Sequence, residues 1–188
     1  MGFERDKRVV RELVKRYLAV CHGSEQEERR RVWKRLHALD SVRPAVLVRP
    51  FCLMHEVSEV QRTECEDPVL RGLERQLRTQ LFLSGIGDDQ VFEPFLRMRA
   101  VHKNSGEPVW GIRPPRNPRA DAYHAGNVYA DPPIKELADA EALSKLPHCI
   151  DEERTAARRR RAEDAVGDLI EVDVDRAPRY AGRGALLI

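Results

Sequence analysis

Apolar residues follow three kinds of pattern along this chain, and each predicts an element. Over residues 4–20, Val9, Val10, Leu13, Val14, Tyr17 and Leu18 fall on one stripe, with Lys7, Arg8, Arg11, Lys15 and Arg16 outside it. That period of 3.6 predicts an amphipathic helix, broken at His22-Gly23. Ser24-Glu25-Gln26-Glu27 has the form of a capping box, in which hydroxyl and carboxylate each satisfy an end N–H. It predicts a second helix to about Leu39 that buries Val32, Trp33, Leu36 and Leu39. Arg43-Pro44 leads into Ala45-Val46-Leu47-Val48, a continuous apolar run ended by Pro50. Such a run suits a strand buried on both faces, as in a parallel sheet. Residues 51–66 predict irregular or loosely helical chain.

The best-formed stretch runs from Asp67 to Val101. Asp67 can cap a helix, and Pro68 suits the first helical position. Leu70, Leu73, Leu77 and Leu81 make one apolar face, with Arg71, Glu74, Arg75 and Arg78 on the others, and Gly85 is a left-handed stop. After the acidic turn Asp88-Asp89, the residues Phe92, Pro94, Leu96, Met98 and Ala100 alternate with Glu93, Phe95, Arg97 and Arg99, the period of a strand. A helix feeding a strand across a turn is a unit of α/β architecture. From His102 to Pro133 periodicity is lost among Pro108, Pro114, Pro115, Pro118, Pro132 and Pro133, with Gly106, Gly111 and Gly126. That is too long for an ordinary connection, so it is either a functional loop or a mobile one. Leu137 to Leu146 predicts a short helix, and Asp151 caps another ending near Gly167. Ile170, Val172 and Val174 alternate as a strand, and Gly184–Ile188 reads as the start of a buried one.

A length of 188 residues fits one domain with a real core. Lys+Arg 33 against Asp+Glu 31 leaves a net charge of +2, without the excess of a dedicated nucleic-acid binder. Neither a secretory h-region nor an apolar run of the roughly 20 residues that span a bilayer is present. Met1-Gly2 resembles the opening of a myristoylation signal, but Lys7 stands where that motif wants Ser or Thr. The four cysteines are scattered, so reduced thiols and a cytoplasmic location are the expectation.

The candidate chemistry is dispersed. Cys52-x-x-His55 has half of a zinc spacing and Cys65 can add a third ligand, but no second pair completes it, so no metal site is assigned. Arg158-Arg159-Arg160-Arg161 lies in a predicted helix among Glu152, Glu153, Glu163 and Asp164, the composition of a solvated helix surface rather than a phosphate grip. Asp88, Asp89 and Glu93 are either acid/base carboxylates or turn formers. In the long loop, Trp110 and Arg113 can stack on and pair with a planar anionic ligand, or Trp110 can pin the loop to the body. Tyr123 and His124 lie in the same loop, where solvent exposure is the default. Phosphate-loop, dinucleotide and nucleophile-elbow motifs are absent.

Taken in order, several short motifs resemble the N-terminal part of uroporphyrinogen decarboxylase-like proteins, in the branch grouped with corrinoid methyltransferases. They are Trp33, Arg43-Pro44-Ala45-Val46-Leu47-Val48, Glu64-Cys65-Glu66-Asp67 and Leu70 to Arg78. Asp88-Asp89-Gln90-Val91-Phe92-Glu93-Pro94, the Gly106–Ile112 loop and Asp131-Pro132-Pro133-Ile134-Lys135 follow, and then Asp151-x-x-x-Thr155 and Gly167-Asp168-Leu169-Ile170. The match covers about three quarters of the chain, and its evidence is the order of the motifs. It implies an α/β fold, a partial (β/α)8 barrel, with a helical extension over 1–40 and an incomplete barrel segment over 41–188 that includes the loop 102–133. The family decarboxylates tetrapyrrole acetates or transfers methyl groups with a corrinoid. Two departures stand out: such a barrel takes about 250 residues, and the methyltransferase branch's His/Cys zinc cluster is missing. Pro108-Val109-Trp110 echoes the decarboxylases' opening motif but lies deep in the chain and lacks its Gln-Ala-Gly-Arg.

The resemblance thus implies an N-terminal fragment or shortened relative of such an enzyme, inactive alone. Arg49, Glu93 and Arg113 are the expected ligand contacts, with no catalytic residue, cofactor or metal assigned. The expected partners are the remainder of the barrel or a corrinoid protein, with self-association and without nucleic acid or membrane. The alternative, from another class, is a non-catalytic α/β module that binds a partner through the 102–133 loop.

Overall fold

A computed structural model describes residues 2–50, 53–104, 111–112, 116–117, 128–129, 132, 134–144 and 148–178. The chain divides into two compact units, Met1–Met98 with Ala157–Asp173, and Arg99–Ala156 with Val174–Ile188. The expected boundary near residue 40 falls inside the first of them.

In the first unit, α1 (Gly2–Cys21) and α4 (Pro68–Ser84) pack along their apolar stripes. Val10, Leu13, Val14 and Tyr17 from α1 join Leu70, Leu73 and Leu77 from α4 in one core. Asp67 caps α4 as expected: its carboxylate accepts from the N–H groups of Val69 and Leu70, and Pro68 stands in the first turn. The strand β1 (Phe95–Arg99) adds Leu96 and Met98 to the core through its alternate residues. It pairs in parallel with β4 (Glu171–Asp175). Between them in sequence, α5 (Glu152–Val166) contributes the small residues Ala162 and Ala165, which allow close approach.

Several local expectations are corrected. In α2 (Ser24–His37) the N-cap is Gly23, in extended conformation and without a side-chain cap, so Ser24-x-x-Glu27 forms no capping box. Gln26 is turned inward instead and is 2% exposed. At the far end, Leu39 is not buried but 93% exposed, with φ of 60°. It occupies the left-handed position of a Schellman ending, where Asp40 N–H bonds to Arg35 O and Leu39 N–H to Leu36 O. Gly85 is right-handed at φ −75°; the left-handed residue is Gly87 at φ 78°. Residues 45–48 form no strand, and Val46, Leu47 and Val48 are exposed. The run is instead bonded sideways to the acidic turn at Asp88-Asp89. A short helix, α3 (Ser58–Gln61), interrupts the irregular stretch before α4.

The second unit holds the antiparallel pair β2 (Arg116–Asn117) and β3 (Val128–Tyr129), within the expected long loop. The predicted helix from Leu137 is a 3-10 turn over Leu137–Ala142, closed by a reciprocal cap between Glu136 and Asp139. An antiparallel bridge joins His102 to Ile150, with Asp151 N–H bonded to Val101 O and Lys103 N–H to Cys149 O. Asp151 caps α5 as expected, accepting from Arg154 N–H at 3.0 Å. The bend at Gly111 is required: φ is 75°, and a Cβ there would lie 2.1 Å from Ser144 Oγ.

Candidate functional site

Two polar clusters lie in the first unit, and each is built around carboxylates with backbone N–H partners. The first is the turn Asp88–Glu93. Asp89 is 7% exposed and takes a bidentate fork from Arg43, at 2.7 and 2.5 Å, with the Val46 N–H at 2.8 Å. Asp88 accepts from Val48 N–H at 2.8 Å. Helix α2 grips the same turn: Trp33 Nε1 donates to Asp89 O at 2.8 Å, and Gln26 Oε1 accepts from Phe92 N–H at 2.9 Å. Arg30 meets Glu93 through two bonds of 3.2 and 3.1 Å, and Tyr17 Oη donates to Glu93 O at 2.9 Å.

The second cluster clasps residues 64–67 between α1 and α4. Asp6, 1% exposed, accepts both Glu66 and Asp67 N–H groups on Oδ2 at 2.8 Å. Glu74, fully buried, accepts the Glu64 and Cys65 N–H groups and Arg78 Nε, all within 3.0 Å. Arg71 closes the far side by donating to Cys65 O and Glu66 O at 2.8 Å. Arg161 pairs with Asp67 at 2.9 Å and lies 3.7 Å over the Phe3 ring.

The electrostatics follow from these bonds. Arg43, then the Val46 N–H, holds the Asp89 carboxyl far below the usual range. Burial pushes Glu74 up, but the N–H groups of Cys65 and Glu64 together with Arg78 outweigh it and the carboxyl titrates low. Asp67 is likewise raised by burial and lowered, on balance, by the Leu70 N–H, Arg161 and the Val69 N–H. Arg11 lowers Asp168 to about 2. Burial raises the Tyr17 hydroxyl and the Cys65 thiol, so neither is an activated nucleophile. These four carboxyls, and Asp139 held by the Lys135 and Glu136 N–H groups, titrate lower folded than unfolded, where about 3.9 and 4.3 are usual for Asp and Glu. Their contribution is present in full above about pH 5 and is lost as pH falls through the folded values. The urea midpoint should therefore hold between pH 7 and about 5 and drop below about 4. A midpoint unchanged down to pH 3 would contradict these pairings.

Of the expected ligand contacts, Arg49 bonds to Gln90 Oε1 at 2.7 Å, and Glu93 is held by Arg30. Both lie against the acidic turn, but each already has a protein partner. Arg113, with Trp110, Tyr123, His124 and Cys52, lies outside the described residues. His55 is exposed and Cys65 buried, and among the described residues no group of three ligands is placed to hold a metal. Of the arginine run, Arg158 to Arg160 are exposed, Arg159 pairing with Glu163 at 2.7 Å, while Arg161 is structural. An open groove of about 380 Å³ is lined by Arg159, Glu163, Asp168 and Glu171 among others, and the first three are already ion-paired. Among the described residues, no helix is long and apolar enough to cross a membrane.

Asp6, Gln26 and Glu74 are the polar residues that the sequence reading missed. Asp6 carried one signal: it lies four positions before Val10 and seven before Leu13, on the apolar stripe itself. In comparison with known proteins, no family model, curated protein or solved structure matches this chain.

Proposed function

We propose that this chain is the N-terminal part, or a shortened form, of a uroporphyrinogen decarboxylase-like protein, and that it acts as scaffold rather than as catalyst. The reading is supported by one observation above others: several of the motifs that carry the resemblance lock together. Arg43 and Val46 meet Asp89, Trp33 meets the Asp89 carbonyl, and the N–H groups of Glu64 and Cys65 meet Glu74. Motif residues spent on each other keep a scaffold in register.

The charged groups of these clusters serve backbone N–H groups and arginines of the same chain. Catalysis needs such groups aimed at a reacting atom. A (β/α)8 site also draws its residues from loops after several strands around a ring, whereas among the described residues the parallel sheet has two strands. The substrate class of the family is a tetrapyrrole carboxylate or a methyl-corrinoid, and its chemistry is completed by the remainder of a barrel or by a corrinoid protein. The purified chain alone should give no turnover in assays of uroporphyrinogen decarboxylation and of methyl transfer from methyl-corrinoid. Turnover above the no-enzyme control in either assay overturns the scaffold reading.

A further inference from the structure

The apolar run Ala45–Val48, followed by Arg49, is exposed over Val46 at 57%, Leu47 at 39% and Val48 at 39%. Its backbone is occupied along one side. Val46 donates to Asp89 Oδ2 and accepts from Asp89 N–H, and Val48 donates to Asp88 Oδ2. Residues 46 and 48 turn their backbones to the same side, so the chain there is extended and residues 45, 47 and 49 turn theirs to the other. Among the described residues, no backbone bond engages that second edge. Pro44 and Pro50 bracket the run and lack the N–H that would lengthen a ladder in either direction.

We infer that this edge pairs with the same edge of a second copy of the chain, antiparallel about a two-fold axis through Leu47. In that register the two Leu47 residues exchange both N–H···O=C bonds, and Val46 faces Val48 of the other copy, a β-branched pair. Arg49 faces Ala45, so like charges are not set opposite each other, and Arg43 is already held by Asp89. The run is therefore complementary to itself. With one edge taken by the acidic turn and both ends closed by proline, pairing stops at two copies instead of propagating into a fibre. Stable dimers bury roughly 1,200 Å² or more, and a five-residue ladder falls short of that, so the dimer is reversible and concentration-dependent. This surface stands independently of the scaffold reading, which turnover tests.

The test is sedimentation of the full chain across a dilution series, with three variants. Wild type should move from one chain mass towards two as concentration rises. Leu47→Pro removes the N–H at the centre of the open edge and leaves the bonds of Val46 and Val48 in place; it should stay monomeric with an unchanged circular dichroism spectrum. Leu39→Asn alters the most exposed leucine elsewhere and should dimerise as wild type does. Leu47→Cys should give a disulfide-linked dimer under mild oxidation, absent in oxidised wild type, because a hydrogen-bonded antiparallel pair sets its Cα atoms about 5.5 Å apart. A monomeric wild type at every concentration overturns the inference. So does a Leu47→Pro chain that dimerises like wild type, or a Leu47→Cys chain that does not cross-link.

Discussion

Replacing Glu74 with alanine is expected to destabilise the fold by about 3–5 kcal/mol, read as a lower urea midpoint. The side chain has no exposed surface, and its two oxygens receive the Glu64 and Cys65 N–H groups and Arg78. Alanine leaves those N–H groups facing a cavity, at about 1–3 kcal/mol for each buried orphan. Arg78 keeps its bond to Glu64 at 2.9 Å and is 21% exposed, so its charge can still reach water. The loss is therefore one of backbone donors more than of an ion pair. Glu74→Gln separates the two: it preserves volume and one acceptor but turns an NH2 towards a donor. It should fall between wild type and Glu74→Ala, with a shallower loss of stability in acid, because one low-titrating carboxyl is gone. If both variants unfold with wild type, the clasp around residues 64–67 contributes nothing and the burial of Glu74 is incidental.

That clasp marks the limit of what the sequence discloses. The leucine face of α4 and the Asp67-Pro68 start were legible because their causes lie within one turn of the residues concerned. The same holds for the Asp151 cap and the alternation into β1. Glu74 sits next to Leu73, on the edge of the apolar stripe, and periodicity alone assigned it to solvent. It is buried because the chain preceding α4 folds back over it. Asp6 is buried for a partner 60 residues away, and Glu93 is neutralised by an arginine 63 residues away. No local pattern contains such distances. Residues 45–48 failed in the opposite sense. Their apolar run predicts burial, but burial is decided by what lies alongside, and there the described neighbour is a polar turn that offers two carboxylates and a backbone. The candidate site shares this history: Arg49 and Glu93, expected as ligand contacts, lie against one turn, and their pairing with Gln90 and Arg30 depends on tertiary contacts.

Phe92→Ala should be comparably severe, about 3–5 kcal/mol, because it empties the largest fully buried side chain where α1 and α2 meet the turn. Phe92 is 1% exposed and meets Tyr17 edge to face, with ring centroids 6.4 Å apart at 86°. Its own N–H is bonded to Gln26 of α2, and the next carbonyl, that of Glu93, accepts from Tyr17 of α1. The ring therefore plugs the core while the backbone on either side of it is tied to two helices. That rigidity limits collapse of the cavity, which places the cost towards the upper part of the usual range. Phe92→Leu keeps most of the volume and should cost much less. Tyr17→Phe keeps the ring contact and removes only the hydroxyl, for about 1 kcal/mol. The double variant with Phe92→Ala should be less destabilised than the sum of the two single changes, since a turn already loosened has less to lose with the Tyr17 bond. Strict additivity would mean that ring and hydrogen bond act separately.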